Sequence, residues 1–249
     1  MRTKQCLSIF SILLVLSCAD NLEIPVMMGD YTVYEVDIKE LSGLCLSQDR
    51  SSLIACGDKG VVKSISFDGQ TEEIWTYASD MEGISVNPSN GDYYLAIEGE
   101  QEVHVLSSPA YDEQTVLFTV QDASGYKNNG LEAVEYYKDD IVFVGSQQGA
   151  NLWQYRLDGT MISKISLSAF ASEIAGLCYD MEADCLWVTD SKKAQMFTCT
   201  VDGELISTYD LSFVDNAESI CVDRANDCVW VGSDEDNTKL YKIDIDFNK

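Results

Sequence analysis

A single histidine, His104, stands among 249 residues, beside three prolines and only 16 lysines and arginines. One imidazole excludes a zinc site of the usual histidine-bearing kind, and no Cys-x-x-Cys pair offers a substitute. His104 lies in the alternating run Val103-His104-Val105 with no nucleophile motif nearby, as a surface or packing residue does. Nor is there a Gly-x-Ser-x-Gly elbow, a phosphate-binding loop or a His-Glu-x-x-His sequence. Asp234-Glu235-Asp236-Asn237 lacks the remaining spacing of an EF-hand loop. With so little proline, and no stretch rich in Pro, Gly or Ser, nothing reads as a linker between domains. Beyond Cys18 no apolar run is long enough to cross a bilayer as a helix.

Basic residues are as scarce as histidine. Against them stand 42 Asp and Glu, and without Arg2 and Lys4 the balance is 14 to 42, a formal charge of −28. Such a surface repels phosphate backbones and anionic headgroups, which excludes nucleic acid as a partner. It attracts cations or cationic partners, and it also keeps a protein soluble.

What is present begins with a leader. Arg2 and Lys4 precede an apolar run over residues 6–16, and Val15-Leu16-Ser17-Cys18 closes it. This order describes a secretory signal over residues 1–17. Cys18 directly after Ser17 resembles a bacterial lipoprotein box, in which the Cys is lipidated; an ordinary signal peptide with an incidental Cys is the other reading. The lipoprotein reading makes residues 18–30 a tether and leaves the lipid on Cys18 as the one contact with the membrane.

Seven cysteines follow, at positions 45, 56, 178, 185, 199, 221 and 228. Cys178 to Cys185 and Cys221 to Cys228 share one spacing. Two hairpin disulfides fit that pattern, and so do small buried apolar side chains, the preferred reading.

The rest of the chain is organised by a repeat. Asn128-Asn129-Gly130-Leu131-Glu132-Ala133-Val134 is echoed by Leu41-Ser42-Gly43-Leu44, Met81-Glu82-Gly83-Ile84, Ile174-Ala175-Gly176-Leu177 and Ala217-Glu218-Ser219-Ile220. Aligning Gly43, Gly83, Ala133, Gly176 and Ser219 gives steps of 40, 50, 43 and 43 residues. Each motif opens a set of short alternating runs, and Asp-Gly recurs at 68–69, 158–159 and 202–203, where a hairpin would join the third run to the fourth. Four strands in about 43 residues is the size of a propeller blade.

The fifth repeat has only three strands. Residues 31–38, ahead of the first repeat, alternate like the missing fourth. An all-β, five-bladed β-propeller is therefore expected over residues 31–249, its last blade closed by the N-terminal strand, which hides two sheet edges. Trp75, Trp153, Trp187 and Trp230 fall in strands and read as packing between blades. The longest insertion, residues 107–129, ends in a polar loop of the sort found beside functional surfaces.

The leader, Leu-Ser-Gly-Leu in the first repeat, Glu-Gly-Ile in the second and Asn-Gly-Leu-Glu in the third together resemble the SdiA-regulated (YjiK-like) family of bacterial lipoproteins, distant kin of NHL-repeat propellers. The likeness covers roughly residues 31–249; Ala133 and Ser219 depart from the repeat's usual glycine. It implies a five-bladed propeller and a bound calcium ion, with no settled biochemical activity.

In a propeller the first strand of each blade lines the central channel. The residue before the small one then forms a ring at one mouth: Ser42, Glu82, Glu132, Ala175 and Glu218. Connections between second and third strands add Asp58, Glu98, Gln147, Asp190 and Asp234 to that face. Converging carboxylates repel one another unless protonated or bridged, and calcium takes six to eight oxygens with tolerant geometry. Glu82, Glu132 and Glu218, helped by Asn129, form the expected Ca2+ site; the alternative has each Glu accept backbone hydrogen bonds that tie the blades.

Two functions fit this reading. One is a monomeric, lipid-anchored binding or scaffold module of a Gram-negative envelope, on the outer membrane, offering its acidic mouth to a small ligand or an envelope protein. The other is a metal-dependent hydrolase of lactones or phosphoesters, using a metal-activated water. The first needs a shell closed by protein oxygens; the second needs an open position.

Overall fold

The computed structural model describes residues 27–77, 80–123, 130–235 and 238–247. The leader, Cys18 and Asn129 lie outside them. The described residues form twenty strands in five antiparallel four-stranded sheets, the blades of a propeller. Blade one is β2 (Leu41–Leu46), β3 (Leu53–Gly57), β4 (Val61–Ile65) and β5 (Thr71–Thr76). Blade two is β6 (Met81–Val86), β7 (Tyr93–Ile97), β8 (Glu102–Leu106) and β9 (Gln114–Thr119). Blade three is β10 (Leu131–Tyr136), β11 (Ile141–Ser146), β12 (Asn151–Arg156) and β13 (Met161–Ser166). Blade four is β14 (Gly176–Asp180), β15 (Cys185–Asp190), β16 (Gln195–Thr200) and β17 (Leu205–Asp210).

Blade five joins the two ends of the chain. Its order is β1 (Met27–Glu35), β20 (Lys239–Asp246), β19 (Cys228–Ser233) and β18 (Ala217–Asp223). Val33 faces Tyr241 and Glu35 faces Lys239 across the closing pair. The N-terminal strand is the expected clasp, but it starts at Met27 rather than at residue 31 and takes in the last residues assigned to the tether. A register shift between Met28 and Tyr31 lets pairing with β20 continue past the alternating stretch on which the sequence reading relied.

The small residue of each motif has a steric cause. A Cβ on Gly43 would lie 2.7 Å from the Ile84 amide nitrogen, and one on Gly83 would lie 2.7 Å from that of Val134 and 2.9 Å from the Ala133 Cα. One on Gly176 would lie 2.8 Å from the Glu218 carbonyl oxygen. First strands of neighbouring blades thus meet backbone to backbone around the axis. Farther out, where the blades diverge, bulk fills the gap: Trp153, Trp187 and Trp230 are fully buried between sheets, and Trp75 packs on Tyr93 and Tyr111. The tryptophans are packing residues.

Blades four and five share one device. Trp187 Nε1 donates to Asp180 Oδ2 at 3.4 Å, and Trp230 Nε1 to Asp223 Oδ2 at 3.5 Å. From blade five Arg224 grips the buried Asp180 with Nε to Oδ1 at 2.7 Å and Nη2 to Oδ2 at 2.5 Å. His104 is fully engaged in blade two, with Glu102 at 2.9 Å and Gln114 at 2.6 Å. Among the described residues no helix is long and apolar enough to cross a membrane.

Candidate metal centre at the channel mouth

Four of the five motifs begin with a β-bulge. Two residues of the first strand oppose one of the second between Leu41 and Gly43, Met81 and Gly83, Leu131 and Ala133, and Ala217 and Ser219. The extra residue is the one before the small one: Ser42, Glu82, Glu132 or Glu218. A bulge breaks the strict alternation of a strand and re-aims one side chain. Here it turns three glutamates into the channel mouth.

That mouth is a cavity of about 350 Å³ lined by Ser42, Glu82, Glu98, Glu132, Gln147, Glu173, Ser191, Lys192, Asn216, Glu218 and Asp234. Below it the ring of small residues pinches the channel to a neck of about 10 Å³. The structure thus brings together Glu82, Glu132 and Glu218, with Glu98, Gln147 and Asp234 around them. Asp58 belongs to the same face from one side: oxygens of Asp58, Asp80 and Glu82 lie within 4.8 Å of one another.

Asp190 is placed differently from the expectation. It is fully buried, and its carboxylate accepts from the amides of Ser172 at 2.7 Å and Lys193 at 3.2 Å, which turns it away from the axis and into a chain turn. Glu173 and Lys192 are the residues the sequence reading missed in this blade. Glu173 is buried; it accepts from Ser191 Oγ at 2.5 Å and the Lys192 amide at 2.9 Å, and pairs with Lys192 Nζ at 2.5 Å. The available signal was an acidic residue two before Ala175, in a motif that, like the first, has no glutamate of its own.

The electrostatics follow from burial and crowding. Burial, with Ser42 opposing it and Asp58, Glu98 and Asp80 adding to it, raises Glu82 to about 8. Glu132 rises further, through burial and the charges of Glu82, Glu98 and Glu218, and its carboxyl hydrogen-bonds Glu98. Burial and Glu173 raise Glu218 to about 7, against the pull of Ser191. Asp80 is raised and Asp58 lowered by the hydrogen bond between them. Without a counter-cation, Asp80, Glu82, Glu132 and Glu218 all hold their protons more tightly than free carboxyls do. Glu98, from the second-to-third connection of blade two, also accepts from the Gly130 amide at the start of blade three at 3.1 Å.

The donor set is all oxygen, mostly carboxylate, with no thiol or imidazole at the mouth. It fits a hard divalent cation such as calcium rather than a soft metal. Glu82, Glu132 and Glu218, with Glu98, Asp58 and Asp80 beside them, would hold it, and the ion would supply the positive charge that lets these acids ionise together.

The SdiA-regulated family model matches residues 147–249, beginning just after β11, and agrees with the family resemblance over that part of the chain. No curated protein matches the chain. Among solved structures, a structural genomics protein of unknown function from Bacteroides thetaiotaomicron is similar at a TM-score of 0.62 and 13% identity over 82% of this chain. The chain spans 58% of that protein's length. A streptogramin B lyase is similar at a TM-score of 0.55 and 14% identity, over 87% of this chain and 98% of the other. Myxococcus xanthus glutaminyl cyclase is similar at 0.65 and 11% identity, over 89% and 96%. At these identities the likeness is one of fold.

Proposed function

We propose that this protein is a lipid-anchored β-propeller of the cell envelope whose acidic channel mouth binds one calcium ion and serves as a recognition surface for a small ligand or an envelope protein. The observation that carries the reading is the set of bulges that turn Glu82, Glu132 and Glu218 onto one axis, where Glu98, Asp58 and Asp80 join them. Burying unpaired carboxylates beside one another opposes folding; a bound divalent cation removes that opposition. The family resemblance points the same way, and the lipid on Cys18 follows from the leader sequence alone.

Melting the protein in chelator and then in calcium tests this. The reading expects a higher melting temperature with calcium and no such rise with the same concentration of sodium. Equal melting curves in calcium and chelator contradict it.

A metal-dependent hydrolase of lactones or phosphoesters is the second reading, and the room above the carboxylates favours it: about 350 Å³ admits water and a small substrate beside an ion. Two proteins of similar fold are named as a lyase and a cyclase, an analogy of fold only. Calcium-dependent turnover of a lactone or phosphoester panel, lost in Glu132→Gln, would select this reading over the first.

A further inference from the structure

The other end of the channel is built from the same strands and has a different chemistry. Two residues after each small motif residue stand Cys45, Ser85, Glu135, Cys178 and Cys221, so three thiols come together from blades one, four and five. They line the floor of a cavity of about 120 Å³ that opens between Arg50, Pro88, Tyr137 and Met181. Neither the acidic mouth nor the proposed calcium site uses them.

All seven cysteines among the described residues are free thiols. The hairpin pairs suggested by spacing do not face each other: Cys178 is opposite Trp187 and Cys185 opposite Asp180, while Cys221 is opposite Trp230 and Cys228 opposite Asp223. Such diagonal neighbours stand about 7–8 Å apart, beyond the Cα separation of about 4.4–6.8 Å that a disulfide spans. Cys185 and Cys228 are instead buried as small apolar side chains, as preferred from the sequence.

Cys178 and Cys221 are neighbours across the seam of blades four and five. A Cβ on Gly176 would lie 2.9 Å from the Ser219 Cα. Two residues farther along, Cys178 Sγ accepts from the Val222 amide, next in the chain to Cys221, at 3.3 Å, and the two thiols lie close enough to shift each other's ionisation. Cys178 is partly exposed to the cavity, whereas Cys221 is only 2% exposed.

We propose that Cys178 and Cys221 are a redox pair that closes into a disulfide inside the channel, clasping the first strands of blades four and five. The oxidant is a small, neutral organic disulfide, which suits both the narrow cavity and the buried Glu135 beside it. The exposed Cys178 loses its proton and attacks one sulfur of the oxidant; the sulfur–sulfur bond breaks, a mixed disulfide forms, and the departing thiolate takes a proton. Cys221 then attacks Cys178 Sγ, expelling the second thiol and passing its own proton to it. Two protein thiols are oxidised and one organic disulfide is reduced to two thiols. The neighbouring Cys221 thiol, then burial, hold the Cys178 thiol above its ordinary range; since the thiolate is the attacking form, closure accelerates as pH rises.

The test treats the full chain with 2-hydroxyethyl disulfide, alkylates the remaining thiols, and maps linked tryptic peptides by mass spectrometry. The proposal expects the peptide bearing Cys178 and Cys185 joined to the one bearing Cys199 and Cys221. That link should survive Cys185→Ser and Cys199→Ser, vanish in Cys178→Ser and Cys221→Ser, and disappear with dithiothreitol. A link retained in Cys178→Ser or in Cys221→Ser overturns it. So does a stable mixed disulfide on Cys178, or complete alkylation of both cysteines, in a chain whose circular dichroism is unchanged.

Discussion

A carboxylate oxygen of Asp58 lies within 4.8 Å of one from Asp80, and a hydrogen bond between the two raises one acid and lowers the other. Nearer the axis burial, the charges of Glu82, Glu98 and Glu218 and a hydrogen bond to Glu98 raise Glu132. Two acids sharing one proton is what crowded carboxyls do when nothing positive stands between them. A divalent cation at the mouth would displace both protons.

Glu132→Gln tests that balance from two directions. At pH 8 Glu132 folds with its proton on whereas the unfolded chain has released it, and the amide removes the need to take one up, so the cation-free protein should melt higher, by ~2–4 °C if about 1 kcal/mol is recovered. Calcium affinity should fall by about tenfold or more, equivalent to ~1.4 kcal/mol. Scanning calorimetry gives the first quantity and isothermal titration the second. A lower melting temperature without calcium, or unchanged affinity, is the opposing result.

The pH dependence has a definite sign. Glu82 keeps its proton to about 8 and Glu218 to about 7 in the native chain, whereas an unfolded glutamate releases it near 4.5. Between pH 4.5 and 8 the native state therefore holds more protons than the unfolded state, and stability in chelator falls as pH rises through this window. Calcium affinity rises over the same window, with protons released on binding. Melting curves from pH 5 to pH 8.5, with and without calcium, should diverge toward the alkaline end.

Among the described residues, Lys192 holds the one ammonium lining the mouth, at 2.5 Å from Glu173. Lys192→Gln should strengthen calcium binding several-fold while lowering stability, because Glu173 is left buried without its partner. Affinity that fell with this substitution would mean that the lysine shapes the site rather than competing with the ion.

The fold has its own test at Arg224. Its guanidinium grips a buried Asp180 that also accepts from Trp187, so Arg224→Ala leaves an uncompensated charge between blades four and five. A loss of about 3–5 kcal/mol is expected, read from the midpoint of urea unfolding. A loss below about 1 kcal/mol would assign the clamp to the surface.

Blade count, strand order and the closing strand were legible because a propeller repeats its chemistry. Small residues recur where backbones touch, and Asp-Gly recurs where Gly69, Gly159 and Gly203 turn hairpins at φ near +85°. The glutamate ring was legible by the same rule, since Glu82, Glu132 and Glu218 hold one repeat position. Position alone does not aim a side chain. The bulges that turn these residues inward leave no mark in the alternation of apolar residues, and Asp190, at the expected place in its connection, is captured by two amides instead. Glu173 was hidden because it precedes its strand, and the Cys178–Cys221 contact because it crosses blades whose spacing in sequence says nothing of their spacing around the axis.

Isothermal titration of calcium into the chelator-stripped propeller (residues 26–249) at pH 8 tests the central claim most directly. The account predicts saturable binding at one ion per chain, with proton release that shrinks as pH rises beyond the range of Glu82. No saturable heat up to millimolar calcium at this pH would contradict it.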